Sequence, residues 1–181
     1  MVVDRSPLAP LYRACAALAG VALVAIFVLM IGETLLRKFL GGFIPGAGQL
    51  IAWSCCAAAF LAMPYAFRLG DFVRVDLATG ALKPAARRWA EAFALCVMTL
   101  FCAFATWSTA RYVLSGWRDG EMTQGMLEVP LWWAQASMVL GLAVLTVAVA
   151  ECFIDVLRAR TPIYTSHERA RIAAHDFGEH V

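Results

Sequence analysis

The chain has 181 residues, 62% of them hydrophobic and 15% charged, and a strongly positive mean hydropathy, whereas an ordinary soluble domain is about a quarter charged. That composition argues against a water-facing helical protein, which needs polar residues spaced along every helix. The net charge of +2 and the placement of the basic residues at the ends of apolar runs give no footing for a nucleic-acid partner.

Residues 14–32, ACAALAGVALVAIFVLMIG, form an uncharged run of about nineteen positions, enough to cross a hydrocarbon core of roughly 30 Å. A cleaved signal peptide has a shorter apolar region, about 7–15 residues, ending at a small-x-small site. This run continues instead into a charged helical turn from Glu33 to Lys38, so an uncleaved first span over about 14–34 is expected. Residues 39–48, FLGGFIPGAG, break any helix and turn the chain back. Residues 50–67, LIAWSCCAAAFLAMPYAF, make a second span with a kink expected at Pro64.

The third span, about 90–112, carries AFALCVMTLFCAFATWSTA, whose hydroxyls can bond back to their own helix at little cost. Its connection to the fourth span, residues 115–128, is polar and glycine-rich, with room for a short turn. The fourth span, about 130–152, opens with Pro130, where a helix tolerates proline, and its apolar run, residues 129–150, stops before Glu151. The expected architecture is therefore all-α: an integral membrane four-helix bundle over 1–158, followed by a polar tail over 159–181.

Lys and Arg in the connections set the expected orientation. Arg5, Arg13, Arg68, Arg74, Lys83, Arg87, Arg88, Arg158, Arg160, Arg169 and Arg171 lie on one side, and only Arg37, Lys38, Arg111 and Arg118 on the other. Both termini are thus expected in the cytoplasm. The charged stretch 67–89, FRLGDFVRVDLATGALKPAARRW, becomes the cytoplasmic connection between spans two and three. Its VRVDL alternation suits a short segment lying at the membrane surface, helical or extended.

Glu33 is the one carboxylate tied to the first span, and an intramembrane carboxylate is a candidate coupling site. Its position near the span end, four residues before Arg37, favours a surface ion pair. The six cysteines, Cys15, Cys55, Cys56, Cys96, Cys102 and Cys152, all fall in or at the ends of apolar segments and read as small apolar residues. The six tryptophans read as interfacial anchors. All three histidines lie in the tail, so no haem can be held between the spans by paired histidines. No catalytic dyad, phosphate-binding loop or cofactor site is visible, and an enzyme is not expected.

Three stretches carry a family resemblance: GETLLRKFLGG at 32–42, AFRLGDFVRVDLATGAL at 66–82 and MLEVPLWWAQASMVLG at 126–141. Together they resemble the small, four-span, DctQ-like membrane subunit of tripartite ATP-independent periplasmic (TRAP) transporters, over residues 11–157. The most specific part is Arg68-x-Gly70 followed by Val73-Arg74-Val75-Asp76-Leu77. Phe72, Gly48-Gln49 and Lys38 depart from the family pattern, which usually has a histidine, an acidic residue and an aromatic there.

The resemblance implies a division of labour. A periplasmic binding protein captures an organic anion, often a carboxylate, and a large multi-span subunit carries it with sodium by an elevator movement. The small subunit holds the large one in place in the bacterial inner membrane, among the membrane lipids. Glu33, Arg37, Arg68, Gly70, Arg74, Asp76, Pro130 and Trp132 are then the positions expected to face that subunit or lipid. The 115–128 connection, where Asp119, Glu121 and Glu128 outnumber the nearby Arg111 and Arg118, is expected to contribute to docking of the binding protein.

The competing reading is a self-sufficient exporter, a homodimer in which Glu33 exchanges protons for a cation. That reading requires a carboxylate buried deep in a span.

Overall fold

The computed structural model describes residues 8–69, 84–123 and 126–158. The expected surface segment between spans two and three, with Gly70, Arg74 and Asp76, lies outside the described residues, as does the tail. The described residues form four helices: α1 (Ala9–Leu40), α2 (Ala47–Leu69), α3 (Pro84–Arg118) and α4 (Leu131–Leu157). All four are long and apolar enough to cross a membrane. The 32 residues of α1 give a length of about 48 Å, so its ends project beyond a hydrocarbon core.

Local chemistry accounts for the helix ends. Pro10 stands at the second position of α1, where a missing N–H costs no hydrogen bond. That helix stops at Gly41, whose φ of 63° is the left-handed conformation that glycine adopts without strain. Arg37 and Lys38 in its last turn offset the partial negative charge of the exposed carbonyls. Pro64 lies inside α2, and the helix continues past it to Leu69. Pro130 sits one position earlier than expected, as the cap preceding α4 and not as a helical residue.

The short structure expected in the third connection is a closed turn. Met122 and Pro130 form an isolated antiparallel bridge, and the Thr123 and Leu131 amides donate to the Val129 and Glu121 carbonyls, each at 3.0 Å. The Leu127 amide donates to Gln49 Oε1 at 3.2 Å, tying this turn to the start of α2.

Helix α1 packs on α2, α2 on α4, and α4 on α3, which places α2 and α4 in the centre and α1 and α3 outside. Accordingly α4 is the most buried span and α1 and α3 the least. The core is concentrated at one end, where α1 and α3 begin and α2 and α4 finish. Tyr12, Cys15 and Ala19 meet Leu61 and Phe67 of α2, Leu95 and Cys102 of α3, and the 144–156 stretch of α4 there. Cys15, Cys102 and Cys152 are buried as small apolar residues, whereas Cys55 and Cys96 are exposed on the outside of the bundle.

Candidate functional site

The densest polar cluster among the described residues lies at that tightly packed end. Arg68, in the last turn of α2, is only 5% exposed. A cation there is favoured by the helix dipole, but a buried guanidinium also needs an acceptor and a surface for its flat faces. Tyr12 of α1 supplies the surface, with its ring centroid 4.3 Å from the Arg68 Cζ. Glu151 of α4 supplies the acceptor, with its Oε2 3.8 Å from Arg68 Nη1. The Tyr12 hydroxyl donates to the same Glu151 oxygen at 3.0 Å.

The three side chains therefore join three helices through one carboxylate oxygen. Stacking on the tyrosine ring adds cation–π attraction to the ion pair, and both gain strength where water is scarce. Tyr12 is 1% exposed, so it has one orientation available. This geometry holds helices together; no reacting group or ligand is needed to complete it.

Gly70, Arg74 and Asp76 lie outside the described residues, and the described members of the expected set do not form one site. Glu33 and Arg37 pair with each other, Arg37 Nη2 donating to Glu33 Oε1 at 3.0 Å, at the far end of α1 from Tyr12. Glu33 thus stands one residue past the uncharged run, without the deep placement that an exporter's coupling carboxylate requires. Pro130 caps α4, and Trp132 next to it meets Trp133 edge-on with ring centroids 6.1 Å apart. Of the expected residues that are described, only Arg68 belongs to the buried cluster.

Tyr12 and Glu151 are the members of this cluster that the sequence did not single out. One signal could have found them. With an even number of spans, residues 12, 68 and 151 all fall at helix ends on the same side, so an arginine and a carboxylate there can meet.

Three threonines within the spans are satisfied locally. Thr99, Thr106 and Thr146 donate to the carbonyls of Leu95, Cys102 and Leu142, one turn back, at 2.7, 2.8 and 2.8 Å. The Thr106 and Thr146 hydroxyls also meet at 3.0 Å across α3 and α4.

The family described as tripartite ATP-independent periplasmic transporters, DctQ component, matches the chain over residues 10–159. No curated protein matches it significantly.

Proposed function

The chain belongs to the DctQ component family of the tripartite ATP-independent periplasmic transporters, and from that premise we propose that it is the fixed scaffold on which the large membrane subunit moves its cargo. The cargo is an organic anion, a carboxylate, delivered by a periplasmic binding protein and taken up with sodium. Both termini face the cytoplasm in this reading, which the distribution of Lys and Arg supports. The Tyr12, Arg68 and Glu151 cluster then lies on the cytoplasmic side.

One observation carries this reading: the apolar runs of the spans hold no charged side chain. No Asp, Glu, Lys or Arg occurs within residues 14–32, 47–67, 92–110 or 131–150. The buried Arg68 sits at a helix end, where it pairs with the half-buried Glu151 and stacks on Tyr12, whose hydroxyl donates to the same carboxylate. A subunit that bound an anion and cations itself would place polar or charged side chains, or broken helices, near the bilayer centre. A rigid cluster joining three helices suits a part that must stay still while its partner moves.

Isolation of the tagged protein from native membranes in mild detergent tests the proposal. A stoichiometric, larger multi-span protein should accompany it. Recovery of homodimers alone would overturn the scaffold role.

A further inference from the structure

At the end of the molecule opposite the buried cluster, α1 is packed less deeply: none of its residues beyond Ala19 is buried, and Ala22, Ile26, Leu29, Glu33 and Leu36 are half-buried. The gap against the start of α2 is an open cleft of about 550 Å³, lined by Met30, Glu33, Thr34, Arg37, Lys38 and Ile51. Its depth is set by the sequence. The uncharged run of α1 ends at Gly32, so the charged residues of the cleft begin where hydrocarbon gives way to lipid headgroups, while Met30 remains on the apolar side.

The charges are of both signs. Arg37 uses one N–H on Glu33, and its guanidinium has five donors in all. The Lys38 ammonium is 5.9 Å from the ring centroid of the adjacent Phe39. Thr34 is committed to its own helix, donating to the Met30 carbonyl at 2.7 Å. From α2 the cleft receives the uncharged Ile51, and the first turn of that helix has no acidic residue. Two cations therefore stand beside one carboxylate, next to an apolar wall of Met30 and Ile51.

A zwitterionic phospholipid with a primary amine has the complementary arrangement. Its phosphate accepts charge-assisted hydrogen bonds from arginine and lysine, its ammonium donates to a carboxylate, and its acyl chain lies against the apolar side of the cleft. A choline headgroup has no N–H to donate, and a glycerol headgroup has no cation. We propose that this cleft is a binding site for one phosphatidylethanolamine molecule, with the phosphate on Arg37 and Lys38, the ammonium on Glu33 and an acyl chain along Met30 and Ile51. The site goes beyond the scaffold role and does not depend on the transported solute.

The test uses the full-length protein, with whatever membrane subunit accompanies it, stripped of lipid in mild detergent. Phosphatidylethanolamine, phosphatidylcholine and phosphatidylglycerol are titrated in turn, and bound copies are counted by native mass spectrometry. One phosphatidylethanolamine should bind ahead of the others, and the R37A/K38A double variant should weaken it by about tenfold or more. E33Q should remove the preference over phosphatidylcholine. Thr34→Trp, which fills the cleft without changing charge, should abolish that one binding event.

Equal phosphatidylethanolamine binding by the wild type, R37A/K38A and T34W would overturn the proposal. So would equal affinity for phosphatidylcholine, or competition by millimolar inorganic phosphate, which would make this a site for the free anion. Loss of the accompanying subunit in T34W with unchanged lipid counts would instead make the cleft a seat for that subunit.

Discussion

Gly141 of α4 lies so close to Phe60 of α2 that a Cβ in its place would be 2.4 Å from the Phe60 carbonyl oxygen and 2.8 Å from the Phe60 Cβ. The obstacle includes backbone, which cannot swing aside as a flexible side chain can. Helices in a membrane gain contact chiefly by such close approach, because lipid offers them no hydrophobic drive to associate.

Gly141→Ala should therefore force the two central helices apart and cost about 1–3 kcal/mol, the usual range for overpacking. Gly20→Ala is the control, since a Cβ there meets nothing within 4 Å. It should be neutral or stabilising by up to about 1 kcal/mol, because alanine is the better helix former. Thermal unfolding of both variants in the same detergent checks the contrast. Equal stability of the two would show that α2 and α4 separate without cost.

The buried cluster predicts a graded series. Arg68→Ala removes the cation paired with the half-buried Glu151 carboxylate and the group stacked on Tyr12, and it should cost about 2–3 kcal/mol, less than a fully buried pair because Glu151 is 29% exposed. Tyr12→Phe keeps the ring and loses only the hydroxyl's hydrogen bond, so about 1 kcal/mol is expected. Arg68→Lys keeps the charge but not the flat face that stacks, and it should fall between them. In a double-mutant cycle, Arg68→Ala and Glu151→Gln should be non-additive by more than about 0.5 kcal/mol. Strict additivity would mean that the pair does not act as a unit.

At the other end, Gly46 has a φ of 76°, and a Cβ there would lie 2.3 Å from the Leu127 Cγ and Cδ1. Gly46→Ala therefore meets two separate obstacles. Adding Leu127→Ala should relieve the clash and leave the backbone cost of about 1–2 kcal/mol for a left-handed alanine. Denaturation of the single and double variants separates the two contributions. Full rescue by Leu127→Ala would show that the backbone conformation carries no cost.

The Glu33 and Arg37 pair should matter little to stability. Arg37 is 72% exposed, and ion pairs one helical turn apart contribute about 0.3–0.5 kcal/mol. Arg37→Ala should therefore unfold within about 0.5 kcal/mol of the wild type. A larger loss would mean that the guanidinium supports the fold itself, and changes in lipid binding would then need separating from changes in folding.

Much of the architecture was legible along the chain. An uncharged run long enough to cross hydrocarbon has few other structures open to it, so residues 14–32 and the three runs after it dictated four spans. Gly41 and the glycines near it dictated where α1 must end, and the spacing of Glu33 and Arg37 dictated their pairing. The motifs from Arg68 to Leu77 and from Met126 to Gly141 were enough to indicate the family.

What the chain could not reveal was which face of each helix looks inward. In water, an apolar stripe marks the buried side; in a bilayer the surroundings are as apolar as the core, so both sides of α1 and α3 read alike. Only the tertiary structure placed α2 and α4 in the centre and set Gly141 against Phe60. It alone brought Tyr12, Arg68 and Glu151 to one oxygen atom, because residues so far apart in sequence meet only when three helices have already chosen their neighbours.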